Sequence, residues 1–450
     1  MKFARSPRGR HGLGTTGLLA FRSCPAVFFA IAQRPGPMTL RAIPVAILVL
    51  ICGPVLAASP AIRPAPREAP TPPMVFYVAK GAPDACGRGC DSWIAVEGEV
   101  DSGAALRFQK FLRLTGNRHL PMYFSSPGGN LDQALAMGAM LRERPTVARV
   151  ARTVVKECGF EAQDGEVCLR LKQSGRELHG DLWTHGAMCN SACPYLILGA
   201  ATREIAPDAV LAVHSPKVVV HFSGGIPTQQ MRAAATERGI ERADLMLSRY
   251  FLKMGAEGAL LDLAKTVKFE SMHILTREEI VRFGIDRREF VETPWTFENS
   301  IRSMVRKSAI AKSDAGNAFR TLQWRLFCFT TGQFELDFQR QVPSAPAFAT
   351  VSISNGGAKP LYFTLPPVKP QGFEVWGLRM TRVSLQSLAG LPQFDFTETA
   401  QAPDGHRLAH PERFSTEGLA GALESLLATC PAQKDMAPLQ ASGPQDSAAK

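Results

Sequence analysis

The chain has no acidic residue before position 58, no Gly-x-x-x-x-Gly-Lys-[Ser/Thr] loop and no Cys-x-x-Cys pair. The missing loop argues against a phosphate-cradling nucleotide site, and the missing Cys-x-x-Cys spacing argues against a bound metal, so no cofactor is expected. Nor does any Lys/Arg cluster interleave with aromatics. The net charge of +11 is front-loaded: Lys2, Arg5, Arg8, Arg10, Arg22, Arg34 and Arg41 all precede residue 58, and setting these seven aside leaves +4. That excess describes a solvated surface, and no nucleic-acid partner is expected. With 45% apolar and 20% charged residues over 450 positions, neither disorder nor a fibrous repeat is indicated, and the length allows two or three domains.

The acid-free start has an organisation of its own. From Met38 the chain reads Met-Thr-Leu-Arg, then a nearly continuous apolar run Ala42 to Leu56, then Ala57-Ala58-Ser59-Pro60. A basic start, an apolar segment short for a membrane span and the Val55 to Ala57 cleavage pattern define a secretory signal, with an uncleaved anchor as the alternative. Residues 1 to 37 read as an over-extended start. The expected organisation is therefore 1–58 start plus signal, a Pro-rich tether 59–75, an α/β domain 76–292, a mostly β domain 293–430 and a disordered tail 431–450. Membrane contact is expected only in transit, through the signal.

Ten cysteines are present, and Cys24 and Cys52 fall within the start. The other eight suit disulfides in an exported chain. The simplest of many connectivities is sequential: Cys86 with Cys90, Cys158 with Cys168, Cys189 with Cys193 and Cys328 with Cys430. Zinc is the alternative fate of these thiols. A helical turn puts residues four apart within disulfide reach, so a Cys189–Cys193 bridge would brace whatever lies between them.

Between them lies Ser191, among small residues and just ahead of an apolar run. Upstream, the strand candidate His119 to Phe124 feeds the turn Ser126-Pro127-Gly128-Gly129, after which Leu131, Ala134, Leu135, Gly138 and Leu141 recur at helical spacing behind the cap candidate Asn130. Downstream, the strand Ala209 to Val213 ends at His214. Further strands are expected at Trp93 to Val100 and Thr146 to Val155, with residues 156 to 182 as an insertion. Helices are expected at Ala104 to Leu114, Pro227 to Met254, Glu257 to Ala264 and from the Thr276 capping box. Beyond Pro294, short aromatic or β-branched runs (Phe327 to Phe338, Phe348 to Ile353, Leu361 to Leu365, Glu374 to Val383, Gln393 to Thr397) are split by Pro and Gly before a last helix, Thr416 to Ala428.

A Gly-Gly turn, a serine and a histidine in this order make oxyanion donors, a nucleophile and a base. Four blocks, Ala95-Val96-Glu97-Gly98-Glu99-Val100, Ser126-Pro127-Gly128-Gly129, Cys189-Asn190-Ser191-Ala192-Cys193 with Gly199, and Val213-His214-Ser215-Pro216, resemble the ClpP/crotonase superfamily, and in particular ClpP-like proteins of the bacterial periplasm. The resemblance covers about residues 90 to 290. It implies an α/β fold with a stacked β-β-α core, a serine hydrolase, most plausibly a peptidase acting on a peptide or protein substrate, a periplasmic location and a homo-oligomer. It also implies Ser191 as nucleophile, His214 as base, and Gly128, Gly129 and Ala192 as the oxyanion hole. The orienting Asp of the family would fall near Ser271 or Met272, where none stands. Glu270 is the neighbouring substitute and Asp262 the alternative by spacing. A weaker dyad, a substituted carboxylate and a catalytically inactive scaffold or binding protein on the same fold all remain open.

Overall fold

The computed structural model describes residues 71–430 apart from 117, 300–302, 314–317, 331, 342–348, 355–358, 365–366, 371 and 402–406. The export signal, residues 59–70 of the tether and the tail 431–450 lie outside the described residues. Pairing already begins within the expected tether: the Glu99 amide donates to Pro72 O and the Met74 amide to Glu99 O, both at 2.8 Å.

The first part is α/β. Its elements are β1 (Val75–Lys80), β2 (Ser92–Glu97), α1 (Ala104–Thr115), β3 (Met122–Ser125), α2 (Leu131–Arg142), β4 (Val147–Val150), β5 (Arg152–Val155), α3 (Glu166–Lys172), β6 (Leu178–Trp183), β7 (Met188–Asn190), α4 (Cys193–Ile197), β8 (Thr202–Glu204), β9 (Val210–Val213), α5 (Gln229–Met254), α6 (Ala259–Thr266), β10 (His273–Ile274) and α7 (Arg277–Arg282). A seven-stranded sheet runs β5-β6-β1-β2-β3-β4-β8, and a three-stranded one runs β10-β9-β7. The strands β2, β3, β4 and β8 are parallel, which requires crossovers, and α1 and α2 supply two of them. Both faces of this sheet are covered, as parallel strands demand. Phe108 and Leu112 of α1 join Leu131, Leu135 and Leu141 of α2 on one face; Tyr77, Trp93 and Tyr123 pack with Cys158 and Cys168 on the other.

Two expectations change here. The run Thr146 to Val155 is not one strand but β4 and β5, broken at Ala151, whose amide donates to Phe124 O at 3.2 Å. β4 stays in the parallel run while β5 turns away to pair antiparallel with β6. Residues 156 to 182, read as an insertion, supply β6, which pairs parallel with β1 inside the main sheet.

The second part is mostly β: β11 (Phe290–Glu292), β12 (Thr296–Glu298), β13 (Met304–Lys312), β14 (Phe319–Thr330), β15 (Gln333–Gln341), β16 (Ala349–Ser354), β17 (Leu361–Tyr362), β18 (Phe373–Thr381), α8 (Arg382–Ala389), β19 (Gln393–Gln401), β20 (Arg407–Ser415) and α9 (Leu419–Thr429). Antiparallel sheets β11-β13-β14-β15-β18, with β12 also on β13, and β17-β16-β19-β20 carry it. Their shared core is aromatic. Trp324 lies 4.8–6.4 Å, ring to ring, from Trp295, Phe338, Phe363, Phe394, Phe396 and Phe414, an arrangement that adds pairwise ring attraction to burial. Buried Arg340 of β15 bonds Glu374 of β18 at 2.8 Å and pairs with Glu398 of β19, so the two sheets are also joined by charge.

The α/β and β parts pack as one compact unit. Four disulfides follow the sequential pairing, as an oxidising compartment would allow. Among the described residues no helix is long and apolar enough to cross a membrane.

Candidate active site

Parallel strands deliver their carboxyl ends to one edge, and β7 and β9 are parallel with Asn190 opposite Ala212. The residue after Asn190 is Ser191, and two residues after Ala212 is His214. The Ser191 amide donates to Ala212 O at 2.9 Å, which pins the serine to the neighbouring strand. Register alone therefore brings the two side chains together: Ser191 Oγ and His214 Nε2 are 2.7 Å apart.

Ser191 adopts φ +59°, a left-handed conformation shared, among the described non-glycine residues, only with Asp84. A serine there costs on the order of 1 kcal/mol or more and needs surrounding structure to hold it. The support comes from two sides. The Cys189–Cys193 disulfide, both residues fully buried, closes the turn around Ser191 with Cα atoms 5.1 Å apart. On the other side stands the Gly-Gly turn. A Cβ on Gly128 would lie 2.5 Å from both Asn190 O and Ser191 Cβ and 2.9 Å from the Ala192 nitrogen; one on Gly129 would lie 2.4 Å from Val100 O. Only glycine allows the two turns this close, and both glycines also have positive φ.

Buried Ser126 fixes that turn. Its Oγ donates to Gly98 O at 2.7 Å and accepts the Gly128 amide at 3.1 Å, while its backbone pairs with Met188 O and the Asn190 amide. Asn130 caps α2 by accepting the Gln133 amide at 3.1 Å. The Gly128 N–H is thus already used within the turn. Those of Gly129 and Ala192 donate to no group among the described residues.

His214 is 5% exposed. Phe269 packs against its ring at 5.0 Å and 58°, and Lys217 Nζ stands 5.4 Å from the Phe269 ring centre. Phe269 is carried there because the Ser215 amide donates to Val267 O and β10 pairs with β9. Burial pulls the imidazole pKa below its ordinary value, against the Ser215 backbone and the Glu270 charge, which act to raise it. At neutral pH the ring is neutral, as a base must be.

The third position is where geometry and expectation part. His214 Nδ1 is buried and has no hydrogen-bond partner among the described residues. Glu270 is exposed and reaches His214 through its field alone; Asp262 is exposed on α6. Neither carboxylate orients the ring by a hydrogen bond. Phe269, which sequence reasoning passed over, holds it by packing; an aromatic in an irregular segment carries no positional signal of such a role.

No protein-family model matches the chain, and no curated protein matches it. Among solved structures, it is similar to a mutant of the membrane-bound stomatin-specific protease 1510-N (14% identity, 43% of this chain and 75% of that one, TM-score 0.27). It is also similar to a ClpP1 mutant from Listeria monocytogenes (14%, 42% and 85%, TM-score 0.25). A third is invasion associated protein B from Bartonella henselae (12%, 31% and 96%, TM-score 0.24).

Proposed function

We propose that the chain is an exported, ClpP-like serine hydrolase, a peptidase, working through Ser191 and His214. The observation that carries the reading is the 2.7 Å approach of Ser191 Oγ to His214 Nε2 on a strained turn pressed against Gly128. Neutral His214 takes the hydroxyl proton at Nε2 as Oγ attacks the substrate carbonyl. The amides of Gly129 and Ala192 receive the oxyanion. The proton then passes to the leaving amine, an acyl-enzyme remains on Ser191, and water repeats the sequence in reverse roles. Without a carboxylate at Nδ1 the imidazolium is stabilised by the Ser215 backbone and the more distant Glu270 charge, so the pair works as a dyad. The four disulfides support a periplasmic setting, and the resemblance in the sequence adds a peptide substrate and a homo-oligomer.

A fluorophosphonate probe tests this on folded, oxidised protein. Stoichiometric labelling at Ser191, lost in Ser191→Ala and in His214→Ala, is expected; an unlabelled parent chain overturns the reading. A second reading is favoured by the unpartnered Nδ1: a scaffold or binding protein that keeps the fold without turnover. In that case labelling fails and Ser191→Ala has no effect in the cell.

A further inference from the structure

A second concavity, lined by no residue of the Ser191 site, lies between the two parts of the molecule. It is a cleft of about 670 Å³, a volume typical of sites for small organic ligands. One wall is the loop closed by Cys86–Cys90; the other is the stretch from Thr293 to Phe297 with the first turns of α9, where Gly418, Gly421 and Ala422 leave room. Trp183, Trp295 and Phe297 supply aromatic surface.

Its charges are unevenly satisfied. Arg149 is matched by Glu204 at 2.7 Å, Lys156 by Asp181 at 3.1 Å, Arg288 by Asp286 at 2.6 Å and Glu292 by Lys307 at 3.0 Å. Every cation on the wall is therefore neutralised, which leaves nothing to attract an anion. Two carboxylates have no ion pair among the described residues: Asp84 from the α/β part and Glu417 from the β part. Asp84 sits in a strained left-handed conformation with Oδ1 fixed by the Gly89 amide at 2.5 Å. Glu417 keeps one carboxylate oxygen out of solvent with no hydrogen-bond partner among the described residues. Burial, joined by repulsion from Glu292 and Asp84, raises its pKa against the pull of Lys307 and Arg149. A half-buried carboxylate with no cation in direct contact is costly, and an incoming cation would relieve that cost.

The cation in question is organic. Two carboxylates are too few ligands for a metal, and among the described residues no group of three or more His, Cys, Asp or Glu side chains converges. The cleft is far larger than an ion, and its aromatic rings favour a cation on a carbon stem. Trp183 already shows the mode, with the Arg152 guanidinium 5.7 Å from its ring centre.

We propose that this cleft binds an alkyl-ammonium or guanidinium ligand, the chemistry of a lysine or arginine side chain and of a polyamine, held between Asp84 and Glu417 against the aromatic wall. The proposal does not rest on the hydrolase reading.

Titration calorimetry on the full oxidised chain tests it, with spermine and a tetra-lysine peptide as probes and tetra-glutamate as the control of sign. The chain's net positive charge works against non-specific binding of either cationic probe. One-to-one binding of at least one is expected, weakened about tenfold in Asp84→Asn and in Glu417→Gln, unchanged in Ser191→Ala and in the exposed variant Glu166→Gln, which does not line the cleft. Binding of spermine alone identifies a small amine as the source, and binding of tetra-lysine identifies a basic segment; either supports the cleft. Should Glu417→Gln fail to fold, exposed Asp84→Asn decides alone. The proposal is overturned if neither probe binds, if tetra-glutamate binds as well, or if Asp84→Asn binds as tightly as the parent.

Discussion

His214 can serve as the proposed base only while its ring is neutral, and burial favours the neutral form. Burial lowers its pKa below 6.5, with Phe269 shielding one face of the ring. The neutral fraction falls as pH falls through the folded value, so the rate of fluorophosphonate labelling should drop on the acid side with an inflection below 6.5. Phe269→Ala readmits water, weakens the desolvation that depresses the pKa, and should move that inflection up toward the ordinary histidine value. A pH–rate profile of the two proteins checks this; a parent inflection above 6.5, or none of the shift in the variant, contradicts it. Ser191 and His214 were legible as residues because small neighbours and a strand end mark them in sequence. Phe269 was not, since its place depends on a two-residue pairing of β10 with β9. The missing carboxylate behind Nδ1 was legible as an absence, but not that both substitutes, Glu270 and Asp262, face solvent.

At the scale of elements, the Ser191 turn is a short link between β7 and α4 that two constraints hold in a conformation serine disfavours. One is the Gly128 contact and the other the Cys189–Cys193 disulfide. A bridge over so short a loop removes roughly 2 kcal/mol of denatured-state entropy, yet its larger effect is local. Cys189→Ala with Cys193→Ala should slow Ser191 labelling by about tenfold or more while circular dichroism stays native. Cys86→Ala with Cys90→Ala, which loses a loop of the same length elsewhere, should leave the labelling rate in place. Equal effects of the two pairs would show that the bridge near Ser191 is no brace. The helices α1, α2 and α5 were legible because each shows the core one apolar face, and α7 was legible from its capping box. The strand β13 was not: its sequence, Met304 to Lys312, carries Lys307 in the interior, and only the pairing with Glu292 and the bond to Thr293 O explain how a lysine is buried there. Strand β20 likewise hides behind His410, Pro411 and Arg413.

For the whole molecule the decisive joint is where the α/β part hands over to the β part. Asp286, buried just after α7, accepts the Ile205 amide at 2.9 Å, Arg277 at 3.1 Å, and the Arg288 side chain at 2.9 and 2.6 Å, so one carboxylate ties the segment after β8, α7 and the approach to β11. Burial alone would raise its pKa, but the hydrogen bonds from Arg288 and Arg277, the Arg288 charge and the Ile205 amide prevail and lower it from 3.8 to about 2. Unfolding returns it to the ordinary value. Between those two values the unfolded chain holds the proton that the folded chain refuses, so stability rises with pH across the window and the contribution is complete above pH 3.8. A shift of that size corresponds to roughly 2 kcal/mol. Asp286→Asn should therefore be less stable than the parent at neutral pH by at least that order, because it also leaves the buried Arg277 guanidinium short of a counter-charge. As pH falls from 4 toward 2 the parent alone loses this term, and the gap between the two denaturation midpoints should narrow. Urea titrations at pH 7, 4 and 2.5 measure it. A gap that stays constant would mean that Asp286 acts by shape and hydrogen bonding alone, and that the joint between the two parts, and the cleft it helps to frame through Arg288, is not set by charge.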